Sequence, residues 1–143
     1  MAAGPELQLV REIRTFWQLL NLERFCPLTA RLLKRLKRYE AAVEAYAGSN
    51  TLPFYRQELG PQFLAYVAAE MDDDLIRAVA AFELAMLRAK RPEPGEWSID
   101  WPASPYQVLA SLLGGAELHI EPGRYRTLVS AQYKQVFVVQ RLD

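Results

Sequence analysis

Apolar residues recur at steps of three and four along most of residues 1–92, which is the spacing of one face of an α-helix. The stretch PELQLVREIRTFWQLL, residues 5–20, predicts an amphipathic helix with Pro5 in its first turn. A second helix is predicted from Pro27 to Ala47, and Gly48 is predicted to lie just past its end, where glycine adopts a left-handed backbone at little cost. The apolar stripe of this second helix consists of Leu28, Leu32, Leu36, Tyr39 and Val43.

The helical pattern continues after a loop of turn-forming residues, GSNTLP. The segment PFYRQELGPQFLAYVAAE, residues 53–70, predicts one or two helical pieces, with an interruption at Gly60-Pro61 because proline disfavours helical geometry at the preceding residue. A further helix begins in MDDDLIRAVAAFELAMLRAK, residues 71–90, where Asp72 or Asp73 can cap the first turn. Since this helix is apolar nearly all round, we expect it at the centre of the helical bundle.

The pattern changes character after RPEPGEW, whose two prolines and glycine end the helical spacing. Apolar and polar residues alternate in WSIDW, RYRTLVS and QVFVVQRL, which predicts β-strands, the last two joined as a hairpin through SAQYK. Between them, SPYQVLASLLGG predicts a short helix with Ser104 as its cap, Pro105 in its first turn and Gly114 past its end. The sequence therefore predicts an α+β fold, in which a bundle of about four helices over residues 1–92 is followed by a small β-rich part over residues 93–143 that packs on it.

Composition bounds the possible functions. The chain has 143 residues, of which 51% are hydrophobic, enough to form the core of one compact unit. Its formal net charge is zero, which gives no general affinity for nucleic acid, so that any electrostatic binding surface must be a local patch. A single cysteine, together with the absence of a signal-peptide pattern and of an apolar run long enough to span a membrane, indicates a cytoplasmic protein without membrane contact.

Candidate catalytic and metal-binding residues are few. One histidine, His119, and one cysteine, Cys26, lie far apart in the sequence, so that no metal site is predicted. Cys26 precedes a helix start, where a thiolate is favoured, but a lone cysteine among apolar neighbours is more often a small buried residue. The acidic run at residues 70–74 is interpreted as a helix cap with solvated charge rather than a cation site. The sequence thus predicts neither an enzyme nor a bound cofactor.

Glu83 is the carboxylate whose surroundings are unusual, because it lies among apolar residues in AAFELAML. A buried carboxylate needs a partner, and Arg77, Arg14 or a tyrosine hydroxyl could supply one. We expect Glu83 to form a structural polar link rather than to act in catalysis.

A basic block lies between Arg24 and Tyr39, which contains six lysine or arginine residues and no acidic residue. It is open whether this block is only the solvated side of a core helix, a binding surface for an acidic peptide or partner protein, or a nucleic-acid surface formed by helix 28–47. Nucleic acid is the weaker of the two binding hypotheses, because the helix start lacks base-contacting polar residues. The residues expected to bind a partner are Arg31, Lys34, Arg35 and Arg38.

The C-terminal strand, predicted over residues 134–141, offers a second candidate surface. An exposed sheet edge can accept an extended peptide as one more strand. Val136 and Val138 would point to one face of this strand, whereas Phe137 and Val139 would point to the other. We therefore include Val136 and Val138 among the expected partner-binding residues.

Three short motifs over residues 20–92 carry a family resemblance. They are the helix start from Phe25 to Pro27, the LPFY segment followed by Phe63 and Leu64, and the step Phe82-Glu83-Leu84. In this order they resemble a family of bacterial proteins, once described as DNA-binding, found beside multinuclear non-heme iron enzymes that modify ribosomally made peptides. The methanobactin-pathway partner belongs to that family. The resemblance implies a non-catalytic partner that binds a precursor peptide and docks on an iron enzyme.

Overall fold

The computed structural model describes residues 21–49, 56–90, 95–115, 117, 121–133 and 136–142. The helix predicted over residues 5–20, most of the GSNTLP loop, and His119 lie outside the described residues. The elements in chain order are α1 (residues 21–25), α2 (Pro27–Arg35), α3 (Tyr39–Ser49), α4 (Arg56–Glu70), α5 (Asp74–Ala89), β1 (Trp97–Ala103), α6 (Pro105–Gly114), β2 (Pro122–Val129) and β3 (Phe137–Arg141). Helices come first and a three-stranded antiparallel sheet follows, which confirms the predicted α+β class.

The predicted helix from Pro27 to Ala47 is wrong as a single element, because it divides into α2 and α3 at residues 36–38. Lys37 adopts a left-handed backbone with φ of 58°. Its N–H donates to the carbonyl of Lys34 at 3.0 Å, and the N–H of Arg38 donates to the carbonyl of Leu33 at 2.8 Å. This pair of bonds is the Schellman arrangement that ends a helix. As a result Leu36, predicted to be buried, is 38% exposed.

Two glycine predictions are also corrected. Helix α4 runs without interruption across Gly60 and Pro61, although Pro61 lacks the N–H that would donate to the preceding turn. Gly48 lies inside α3, which extends to Ser49, rather than past the helix end. A Cβ atom on Gly60 would lie 3.0 Å from Cβ of Phe25, so the missing side chain lets α4 approach the junction between α1 and α2 closely.

Helix α5 is the central helix of the molecule, as its sequence predicts. Asp73 caps it, since Oδ1 accepts hydrogen bonds from the N–H groups of Leu75 at 2.9 Å and Ile76 at 3.0 Å. Side chains on several of its faces are buried against α2, α4 and the sheet. The buried residues include Ile76, Val79, Phe82, Glu83 and Ala85.

The sheet has the order β1-β2-β3, and one face of it packs on α5. On that face the register aligns Ile99 with Thr127 and Thr127 with Val139. The buried Thr127 hydroxyl accepts a hydrogen bond from Nε1 of Trp101 at 3.0 Å. The Phe82 ring of α5 packs edge-on against Trp101 and Phe137, at centroid distances of 5.6 and 5.1 Å. The sheet and the helices thus share one apolar core.

The predicted hairpin between the last two strands is confirmed, but its second strand is shorter than expected. Strand β3 begins at Phe137 rather than at residue 134. Val136 lies in the connection with a φ of 70°; its N–H donates to Tyr133 and its carbonyl accepts from Ser130. The sequence pattern predicted a strand at Val136, because β-branched residues such as valine rarely adopt a left-handed backbone.

No helix in the described part of the chain is long and apolar enough to cross a membrane.

Candidate functional site

Two of the four basic residues expected to bind a partner form ion pairs within the protein. The Lys34 ammonium contacts the carboxylate of Glu23, and Nη2 of Arg38 lies 2.9 Å from Oδ1 of Asp72. The hydrogen bond from Arg38 lowers the pKa of Asp72 below its usual value. Both pairs lie at the surface, where water and salt screen an ion pair and its contribution to stability is small.

The other two basic residues bind the C-terminal end of α6. Arg31 Nη1 donates to the carbonyl of Leu112 at 3.0 Å. Arg35 donates through Nη1 to Ser111 Oγ at 2.8 Å and through Nη2 to the Ser111 carbonyl at 2.6 Å. The last four carbonyls of a helix have no partner within that helix and carry partial negative charge. The two guanidinium groups therefore satisfy the end of α6.

Each of these four cations thus has a hydrogen-bond or ion-pair partner within the described residues. Whether an external ligand binds these residues stays a prediction. The basic residues of the block also do not share one helix. Arg24 lies in α1, three of the expected binding residues lie in α2, and Arg38 lies in the connection between α2 and α3. No observation specific to the block favours nucleic acid over protein.

Glu83 caps helix α2 from a distant element. Its two carboxylate oxygens, Oε2 and Oε1, accept the backbone N–H groups of Leu28 and Thr29, each at 2.9 Å. The residue preceding α2, Cys26, provides no side-chain cap, so the carboxylate takes the place of a local one. Burial raises the pKa of Glu83, while the two N–H bonds act in the opposite direction.

Among the partners predicted for Glu83 from sequence, Arg77 is wrong. Nε of Arg77 donates to the carbonyl of Ala68 at 3.0 Å instead, and Arg14 lies outside the described residues. Sequence spacing could not identify the backbone of α2 as the partner, because it lies 54 and 55 positions away.

The structure agrees with the less reactive of the two interpretations of Cys26, that of a small buried residue. Cys26 is fully buried, and its thiol donates to the carbonyl of Gly60 at 3.5 Å. Burial, and secondarily the charge of Glu83, raise the pKa of this thiol far above its ordinary value. A reactive thiolate at this helix start is therefore not supported.

The described residues form an apolar cleft of about 800 Å³. The start of α2, the C-terminal half of α5 and one side of α6 form its walls, and Phe137 at the start of β3 closes one side. The volume and the mostly apolar lining of this cleft lie within the range of ligand-binding pockets in proteins. Its apolar lining includes Pro27, Leu28, Phe82, Met86, Leu87, Tyr106, Leu109, Leu113 and Phe137.

The rim of this cleft combines exposed apolar side chains with positive charge. Tyr106 is 58% exposed and Leu113 is 66% exposed. Arg24 and Lys90 also line the cleft, and neither has an ion pair within the described residues. The acidic group that lines it, Glu83, uses both oxygens to bind α2. The cleft was not predicted from the sequence, in which the available signal was the apolar content of SPYQVLASLLGG.

The two valines expected to bind a partner do not belong to the cleft. Val138 is 41% exposed on the sheet face opposite to Phe137, whereas Val136 lies partly buried in the hairpin connection. Within the described residues no strand pairs with the outer edge of β3. Arg31, Lys34 and Arg35 line a shallow depression at the end of α6, and neither valine contributes to it.

Comparison with known protein families, with curated proteins and with solved structures finds no match to this chain. Within the described residues, no group of three or more His, Cys, Asp or Glu side chains could hold a metal ion.

Proposed function

We propose that this protein is a non-catalytic accessory protein that recognises a partner peptide or enzyme through the apolar cleft. The observation that supports the proposal is the solvent-exposed apolar surface of α6, where Tyr106 and Leu113 stand at the cleft rim. Large exposed apolar residues beside a concave apolar surface are typical of protein interaction sites.

The partner expected from the family resemblance is a multinuclear non-heme iron enzyme together with its precursor peptide. Two of the motifs that carry the resemblance contribute to the cleft, namely the helix start at Phe25–Pro27 and the step around Glu83. This coincidence supports the cleft, rather than the basic block, as the surface that serves the proposed partner.

The test is capture of partners from the lysate of the source organism on the immobilised full-length protein, with mass-spectrometric identification. Leu113→Asp places a charge in the cleft at a residue that is mostly solvent-exposed, so the fold should be retained. We expect a protein that the wild type retains to be lost with this variant. Leu142→Asp is the matched control, because it introduces the same charge at an exposed leucine that does not line the cleft.

Retention of the same proteins by Leu113→Asp and wild type would reject the cleft as the contact. A separate variant, Lys34→Glu, tests the basic block. It is preferable to changing Arg31 or Arg35, whose loss would also disturb the end of α6.

A further inference from the structure

The shape of the cleft indicates the form of its occupant. Along α5 the lining residues Phe82, Met86 and Lys90 are spaced by four, and along α6 Tyr106, Leu109 and Leu113 are spaced by three and four. Each of these walls is therefore one ridge of a helix, extending for about 10–12 Å at 1.5 Å per residue. A trough between such ridges fits the side-chain rows of another helix.

The backbone of the helical walls leaves little for an extended peptide to pair with. At the start of α2, Pro27 has no N–H, those of Leu28 and Thr29 bind Glu83, and that of Ala30 binds the Cys26 carbonyl at 2.9 Å. The lining parts of α5 and α6 are helical. An extended chain in this trough would bury unpaired N–H and C=O groups, whereas a helix satisfies its own.

The charge of the cleft indicates the side chains that flank the occupant. Arg24 and Lys90 line the cleft and form no ion pair with any residue that the structure describes, and the carboxylate of Glu83 is already bonded. Acidic groups on a partner would complement these two cations, whereas basic groups would be repelled.

We infer that the cleft binds an amphipathic α-helix of a partner protein or peptide, with an apolar face in the trough and acidic residues on its flanks. This inference deepens the proposed function and rests on it. It assigns Arg24 and Lys90, rather than the basic residues of α2, to recognition of the acidic flank.

Three fluorescein-labelled synthetic peptides of about 16 residues, long enough for measurable helix content, test the inference. The first has leucine at i, i+3, i+4 and i+7 with glutamate on both flanks. The second replaces every glutamate with lysine, and the third places a proline in the centre of the first. Binding is measured by fluorescence anisotropy at low ionic strength, where exposed charges act over longer distances.

We expect the acidic peptide to bind the wild type on the order of tenfold more tightly than the basic or proline-containing peptide. Leu113→Asp should abolish binding. The double variant Arg24→Glu with Lys90→Glu should reverse the preference toward the basic peptide. Arg88→Glu is the control, because Arg88 lies exposed near the end of α5 but does not line the cleft.

Equal affinity for the acidic and basic peptides would overturn the inference, as would equal affinity for the proline-containing peptide. Absence of binding by all three peptides, with lysate capture still dependent on Leu113, would overturn the inference while the proposed function stands. If capture from the lysate also fails to depend on Leu113, both the inference and the proposed function are rejected.

Discussion

Replacing Glu83 with glutamine tests the long-range cap of helix α2. The carboxylate accepts two backbone N–H groups, one through each oxygen. A glutamine amide has one carbonyl oxygen, so it can accept one of them and presents its own N–H₂ to the other. One N–H at the start of α2 then stays buried without an acceptor.

Leaving one buried donor unsatisfied costs about 1–3 kcal/mol. With a urea m-value of about 1–3 kcal/mol/M, the unfolding midpoint should fall by on the order of 1 M. Urea unfolding followed by tryptophan fluorescence is suitable, because Trp101 is buried and reports on the shared core. Glu44→Gln is the matched control at an exposed helix position, where surface substitutions usually change stability by less than about 0.5 kcal/mol.

The pH dependence tests the balance between burial and capping. Burial raises the folded-state pKa of Glu83 above its ordinary value of 4.5, so the native state binds the proton more tightly than the unfolded state does. The stabilisation from this shift is complete below pH 4.5 and is lost as pH rises through the folded-state pKa. A protonated carboxyl keeps acceptor capacity on both oxygens, whereas the amide N–H₂ of glutamine accepts no hydrogen bond. The stability advantage of the wild type over Glu83→Gln should therefore be largest at acidic pH and should decrease toward neutral pH, where burial of the charge offsets part of it.

Two results would refute the reasoning on Glu83. If Glu83→Gln were as stable as Glu44→Gln at neutral pH, the two N–H bonds would contribute nothing to holding α2. If the relative stability of the wild type increased from acidic to neutral pH, the cap would outweigh burial and the pKa of Glu83 would be lowered.

Three further predictions concern single positions. Lys37→Gly should raise the unfolding free energy by about 1 kcal/mol in chemical denaturation, because it relieves the left-handed backbone, whereas Lys37→Ala should give no such gain. Gly60→Ala should lower the melting temperature, since overpacking against Phe25 costs about 1–3 kcal/mol; Gly48→Ala, which meets nothing within 4 Å, should raise it. Cys26 should react with a thiol reagent only as fast as the protein opens, and rapid reaction in the native state would contradict its burial.

The sequence by itself determined the class of the fold and much of its element order. The apolar spacing of a helix and the alternation of a strand involve residues that are only a few positions apart. These patterns can therefore be recognised directly in the sequence. The cap of α5 by Asp73 is local in the same way, since the carboxylate reaches N–H groups two and three positions ahead.

Only the tertiary structure decided where α2 ends. Residues 36–38 contain no glycine or proline, so no local signal marks the break. The break separates Leu36, which is exposed, from Tyr39, which is buried, although one continuous stripe would place both in the core.

The candidate site was likewise decided by tertiary structure. Arg31 and Arg35 bind carbonyls 81 and 76 positions away, and Glu83 binds N–H groups more than fifty positions away. The partner of a long charged side chain is one of the groups that tertiary packing brings within its reach. The residues next to it in the sequence do not show which groups these are. The same holds for the cleft, because its walls come from helices whose separation is fixed by the core beneath them.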